Sequence, residues 1–403
     1  MKIYRLVNTI QEYPWGTRNA ISKLLGVPNE DRRPQAELWM GAHPKAPSKA
    51  LTDSGEIPLS NLVELDPGAI LGESILTRFG PALPFLFKVL SAEHALSIQA
   101  HPNRRSAEGG FDREDRLGIP IDAPHRNYRD INHKPEIICA LTPFWAMTSF
   151  RPPDAIIGYL SCISHKALKT ITSELERRRD SEGIRILFEG LMKLDESERV
   201  GVTEAAVNES SSGTGDREAW DWVTRLADLF PGDIGILSPL FLNLIKLEPG
   251  QALYLDAGEL HAYLQGTGIE LMANSDNVLR GGLTSKHVDV PELLKNLTFR
   301  YGAPPLIEGS STDGIETVYS TKSKEFLLSR ISLSDGQTYS RDPKSGVEIL
   351  LCVQGGGSIL SVEENDEFGI GSGDSFIVPA DAGSYTLRGD LVLYRARVPG
   401  KGH

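Results

Sequence analysis

Cysteine is scarce in this sequence. Its 403 residues include three, Cys139, Cys162 and Cys352. They are odd in number and far apart, which excludes a disulfide framework and a CxxC zinc site and points to a reducing compartment. Positive charge is also in short supply: 42 Lys and Arg against 54 Asp and Glu leave a net charge of −12. Nucleic acids and anionic membranes both call for a basic surface, so neither is an expected partner. A small phosphorylated ligand needs only a few local cations and is not excluded. No apolar run reaches the roughly 18–20 residues of a membrane span. The opening MKIYRLVNTIQEYPWG lacks the apolar stretch of a signal peptide. The expectation is a soluble, cytoplasmic protein without nucleic-acid or membrane partners.

What is present is turn-forming residues, with 39 Gly and 25 Pro, in a chain long enough for two or three domains. PFLFKVLSAEHALSIQAHP (84–102) holds two strand-like apolar runs split by Ser-Ala-Glu-His, which predicts a hairpin. KPEIICALTPFWAMTSFRPP (134–153) is again strand-like and stops on Pro152-Pro153. From Asp154, read as an N-cap, Ile156, Ile157, Leu160 and Ile163 recur at helical spacing. The same style continues to about residue 240, broken by a loop at SSSGTG (210–215), and Trp220 and Trp222 read as packing residues. Strands resume at 244, PELLKNL (291–297) predicts a short helix, and short strands with Gly, Asp and Ser turns fill the remainder. The fold class is mainly β with an α insertion: two β-sandwich domains plus a helical one. The expected boundaries are 1–153 plus 241–310 for a metal-binding domain, 154–240 for the insertion and 311–403 for a C-terminal domain.

An internal repeat sharpens this. Gly250-Gln-Ala-Leu-Tyr-Leu-Asp-Ala-Gly258 aligns with Gly373-Asp-Ser-Phe-Ile-Val-Pro-Ala-Asp381. Both resemble the second motif of the cupin family, G-x5-P-x-G-x2-H-x3-N, a jelly-roll fold. The motif's histidine falls on His261 in the first copy, with Gln265 at its final amide and Asp256 in place of its proline. In the second copy the histidine position is Ser384, which cannot serve as a metal ligand. One sandwich is therefore expected to hold a metal, and the other to keep only the shape.

Three fragments could supply that metal. Gln99 and His101 lie two apart in a strand-like run, so both can face one ion. Glu136 opens an apolar strand after Lys134-Pro135, and His261 lies just past a turn. A mixed nitrogen and oxygen set of this kind suits Zn²⁺, and less tightly Mn²⁺, Co²⁺ or Fe²⁺. Each fragment is weak alone, since a lone QxH or a Glu after Pro is usually an ordinary strand or surface feature.

Together, EYPWG (12–16), SIQAHPN (97–103), NHKPEIICAL (132–141) and GELHAYLQGTGIELMANSDNVLRGGLTSK (258–286) resemble type I mannose-6-phosphate isomerases over nearly the whole length. That resemblance implies one zinc ion on Gln99, His101, Glu136 and His261. It implies interconversion of D-mannose 6-phosphate and D-fructose 6-phosphate through a cis-enediol(ate). It assigns catalytic roles to Arg280, Lys134 and Glu270, with the proton-transfer base open between Lys134 and Glu270. Ser97, Lys88 and Lys286 match positions associated with the substrate phosphate, and Tyr263 and Asp276 match pocket positions. The expected partner is a sugar phosphate, and the expected state is a monomer rather than a homodimer. An iron-dependent cupin dioxygenase fits poorly with Gln99 and the Lys-Pro-Glu segment. A regulator with a degenerate site fits poorly with the intact ligand set and with Arg280.

Overall fold

The computed structural model describes residues 2–210, 217–343 and 345–400. Among them are two antiparallel β-sheets, one of eleven strands and one of ten, and a block of helices packed against the larger. No helix among the described residues is long and apolar enough to cross a membrane.

The larger sheet is organised by one 13-residue strand, His261–Ala273. Its first residues pair with Ile98–Ala100 and Phe144–Phe150, while Gly266–Ala273 pair with Phe85–Ala92 and Gly268–Met272 with Glu136–Ala140. The strand passes from one layer to the other at Gly266, where φ is +129°. A Cβ there would lie 2.7 Å from the Pro143 carbonyl oxygen, so only glycine makes the bend without displacing the neighbouring backbone. One strand can therefore bring His261, Tyr263 and Glu270 to the space between the layers. Phe85–Ala92 is buried along its whole length, as its continuous apolar run predicts for a strand covered on both faces.

The smaller sheet is built on the long strands Glu348–Ser361 and Tyr385–Arg397. Tyr4–Val7 joins it by pairing with Ser375–Val378, so the chain's first strand sits beside one of its last. One apolar core runs between the sheets, with Phe87, Val89, Ile137 and Leu271 on one side and Ile349, Ile377 and Tyr319 on the other. The internal repeat is structural: Ala252–Leu255 and Ser375–Val378 are both short strands, entered through Gly250 (φ +91°) and Gly373 (φ +88°).

The described residues between 153 and 241 are mostly helical, close to the 154–240 that the periodicity predicts. In Ser181–Met192 the buried Ile184, Leu187, Phe188 and Leu191 form one stripe, and the Asp180 carboxylate caps the helix by accepting from the Gly183 amide at 3.0 Å. Trp220 and Trp222 are buried in this core and are packing residues. A second core continues from the helices onto Ile98, Ala100 and Met147 of the larger sheet, which locks the block against the strands that carry the candidate ligands. The short helix near 291–297 is Val290–Asn296.

Two local expectations are corrected. The first helix begins at Pro153 with Pro152 as its cap, because proline's fixed φ and missing N–H suit the first helical position. Asp154 instead lies in the first turn and pairs with Arg179 at 2.8 Å. The residues around Ser91-Ala-Glu-His94 do not form a hairpin. Phe85–Ala92 and Ile98–Ala100 pair with other strands, and the connecting turn donates its Glu93 and His94 amides to the Trp15 carbonyl. Of the loop expected at 210–215, residues 211–215 lie outside the described residues.

Candidate active site

The short strand Ile98–Ala100 lies between two others, with Gln99 opposite His261 on one side and Arg280 on the other. Residues directly opposite in antiparallel strands project to the same face. His261, Gln99 and Arg280 therefore form a row, of which Gln99 and Arg280 line a cavity of about 630 Å³.

At one end of this cavity His101, Glu136 and His261 converge, each 1% exposed, with one ligand atom from each lying within 4.8 Å of the others. The His101 Nδ1 donates to the Asn277 carbonyl at 2.7 Å and the His261 Nδ1 to the Glu259 carbonyl at 2.9 Å. Those bonds fix both tautomers, leaving the Nε2 lone pairs aimed at Glu136, 3.3 and 3.6 Å from its two oxygens. Burial, then the charge of Lys134, pushes the His101 imidazole down to about 4, so the ring is neutral at neutral pH. Burial would raise the Glu136 carboxyl, but the charge of Lys134 opposes it and the carboxyl is held well below the usual carboxylate range. The result is three buried acceptors facing one another. His101 Nε2, His261 Nε2 and Glu136 Oε2 have no hydrogen-bond partner, an arrangement that costs free energy unless a cation lies between them. Two imidazole nitrogens and one carboxylate fit a divalent transition metal.

Lys134 donates to Glu136 Oε1 at 2.8 Å. Deeper in, Lys88 is buried between Glu270 (2.9 Å) and Glu37 (3.3 Å), with its ammonium 5.2 Å from the Trp39 ring centroid. Burial opposes the Lys88 charge, but these two carboxylates overcome it and raise its pKa. Burial raises the Glu270 carboxyl and, aided by nearby carboxylates, the Tyr263 phenol. The Tyr263 hydroxyl is buried without a hydrogen-bond partner.

Another part of the lining, with Arg129, Arg280 and Lys286, is cationic. Burial, and then Arg129, lowers the Arg280 guanidinium, and burial, Arg280 and Arg129 lower Lys286. Neither Arg280 nor Lys286 has an ion pair among the described residues.

The structure thus brings Ser97, Gln99, Lys134, Glu136, Tyr263 and Arg280 onto one cavity wall, together with Lys88, Glu270, Asp276 and Lys286. Two of the sequence expectations are altered by their surroundings. Lys88 is already neutralised by two carboxylates, which argues against a phosphate contact. Asp276 sits at the rim, held at 2.8 Å by Lys45 and at 3.5 Å by His43, and these partners keep its carboxyl low against the effect of burial. Sequence reasoning missed Glu37, Arg129 and Asn277. Glu37 and Trp39 stand in the aromatic AELWMG stretch, but nothing local to it indicates a buried lysine partner.

A family model, phosphomannose isomerase type I, catalytic domain, matches residues 3–153. The mannose-6-phosphate isomerase of Escherichia coli (strain K12) is 39% identical over 395 residues, covering 97% of this chain and 98% of its own. Mannose-6-phosphate isomerase 2 of Arabidopsis thaliana is 35% identical, covering 98% of this chain and 94% of its own. A solved mannose 6-phosphate isomerase in a zinc-bound holo form superposes with a TM-score of 0.91 at 37% identity, covering 99% of this chain and 100% of its own. A lysine-to-alanine mutant of phosphomannose isomerase from Salmonella typhimurium gives 0.92 at the same identity and coverage.

Proposed function

The chain belongs to the type I phosphomannose isomerase family, and on that premise we propose that it interconverts D-mannose 6-phosphate and D-fructose 6-phosphate with one bound zinc ion. The observation that carries this is the polarity of the cavity. It combines three buried acceptors without hydrogen-bond partners with a lining that carries Arg280 and Lys286, neither of which has an ion pair among the described residues. An open-chain sugar phosphate has a carbonyl at one terminus and a phosphate at the other, which matches that polarity.

In this reading His101, Glu136 and His261 hold the metal, with Gln99 as the fourth ligand. When bound, zinc supplies a Lewis acid near the C1 and C2 oxygens. A single carboxylate among four ligands leaves formal positive charge on such a centre, and the amide of Gln99 does not reduce it. The reaction moves a proton from C2 to C1 through a cis-enediol(ate). Lys134 and Glu270 are the two groups placed to carry that proton. Lys134 has its carboxylate partner in Glu136, while Glu270 shares Lys88 with Glu37. Arg280 offers a fixed charge and a planar donor fork to the developing oxyanion or to ring opening. Ser97 and Lys286 receive the phosphate, whose binding helps to orient the reacting carbons, and Tyr263 and Asp276 shape the pocket.

We also propose the division into a catalytic cupin unit (1–153 plus 241–310), a helical insertion (154–240) and a metal-free cupin-like unit (311–403). The strand Tyr4–Val7 is lent to the last of these. A cavity wall completed within one chain supports a monomer as the working unit, and free thiols at Cys139, Cys162 and Cys352 support a cytoplasmic setting. The direct test is a coupled assay of fructose 6-phosphate formation before and after chelation. Activity should vanish with the metal and return with added zinc. Activity that persists after complete metal removal rejects this function.

A further inference from the structure

Two arginines on one loop, three residues apart, have opposite fates. Arg126 is spent on structure. Its guanidinium donates to the Tyr128 carbonyl at 2.7 Å, to Asp115 at 2.6 Å and to the Ile119 carbonyl. Arg129 is half-buried on the cavity wall, and among the described residues no hydrogen bond or ion pair engages its guanidinium. In a chain with twelve more acids than bases, a half-buried arginine without a carboxylate needs an explanation.

Its neighbours supply one. Arg129 is close enough to Arg280 and Lys286 to lower both, so three cations share the cavity lining, none of them with an ion pair among the described residues. Its backbone is also fixed. The Asn277 side chain, fully buried, accepts from the Arg129 amide at 2.7 Å and the Asp130 amide at 3.2 Å. That side chain also donates to the Asp130 and Asn132 carbonyls, while the Asn277 main-chain oxygen holds His101. Clustering like charges in a half-buried site is unfavourable in the free protein. The repulsion is relieved when a dianion enters, and a guanidinium held from behind can offer it two parallel N–H groups.

We propose that Arg129 is a phosphate-binding residue that, with Lys286, selects a dianionic phosphate monoester over the unphosphorylated sugar. This rests on the isomerase reading above. It differs from the sequence expectation by giving the phosphate a partner on the Arg126–Lys134 loop in place of the neutralised Lys88.

The test is steady-state kinetics of the zinc-loaded enzyme together with calorimetric titration with inorganic phosphate. Losing one charge-assisted hydrogen bond should raise the KM for mannose 6-phosphate and the Kd for inorganic phosphate by about 10- to 100-fold in Arg129→Ala. The loss should fall mainly on KM, with zinc content unchanged. KM and Kd both within about twofold of the unaltered chain would overturn the proposal, being smaller than any charged contact should produce. Arg129→Lys keeps the charge but loses the planar fork, and it covers the case of an alanine variant that does not fold. A Kd raised about threefold or more in that variant supports the assignment, and an unchanged Kd overturns it. An unaltered chain that binds phosphate but does not isomerise the sugar would reject the isomerase reading without touching the phosphate assignment.

Discussion

The two sheets carry the same strand repeat, yet their buried carboxylates have opposite surroundings. Glu136 lies opposite Leu255 and Glu348 lies opposite Val378, and the internal repeat aligns Leu255 with Val378. The two glutamates are therefore counterparts. Around Glu136 stand two imidazole nitrogens without hydrogen-bond partners. Around Glu348 stand Arg395 and Arg341, at 3.4 and 3.5 Å, and the Tyr385 hydroxyl, which donates at 3.1 Å. Arg395 is tied further to Glu316 and Tyr339, and Arg341 to the Pro379 and Gly346 carbonyls. At the repeat position of His261 the second copy has Ser384, whose amide is held by Glu363. Glu136 has one chain cation, Lys134 at 2.8 Å, and an oxygen left without a partner, whereas two guanidinium groups of the chain surround Glu348. The same scaffold position can thus serve binding or stability, depending on whether its neighbours satisfy it.

Substitutions can sharpen or break this contrast. The largest effect should come from Glu136→Ala. Zinc measured by atomic absorption should fall to near zero, and turnover should drop on the order of 10³-fold or more with the loss of a Lewis acid. A variant that kept its zinc would remove Glu136 from the ligand set. Glu348→Ala should do the converse, leaving zinc content intact while costing about 3–5 kcal/mol in chemical denaturation, since two guanidinium groups lose their buried partner. Loss of zinc in that variant would erase the distinction between the two sites. Arg280→Ala should retain the metal and lose roughly 100-fold in turnover, and near-normal turnover would refute its assigned role.

The smallest effect concerns the link between the two halves, where His133 and Glu325 meet at 2.8 Å. Burial would raise Glu325, but its bonds to His133 and Ser323 hold the carboxyl at about 2, against an ordinary value of 4.5. A depressed carboxyl contributes stability that is fully present above the ordinary value and is lost as pH falls toward 2. The Tm should therefore decline between pH 5 and 2, and His133→Ala should flatten that decline by returning Glu325 toward its ordinary value. An unchanged slope in that variant would show that the pair does not link stability to pH.

How much was legible beforehand varied with the range of the interaction. The helical stripe of 153–241 and the strand runs around 98 and 136 follow from spacing of three and four or of two, which a sequence displays directly. The turn at 93–97 did not, because its geometry is set by Trp15, some 80 residues earlier. Arg126 and Arg129 look alike in HRNYRDINHK and both line the cavity, and only the fold shows that the guanidinium of Arg126 is taken up by two carbonyls and Asp115. The role expected of Lys88 changed for the same reason, since Glu37 and Glu270 reach it from separate strands.

By itself the sequence determined which residues could bind a metal, that Ser384 could not, and where strands give way to helices. These are matters of side-chain chemistry and local periodicity. Only the tertiary structure decided that the Nδ1 atoms of His101 and His261 are taken up by backbone carbonyls, that their Nε2 atoms meet at Glu136, and that Arg129, Arg280 and Lys286 gather on one cavity lining. Those outcomes depend on strand register and burial, which bring together groups 35 to 181 residues apart in sequence. No local pattern in the chain encodes such distances.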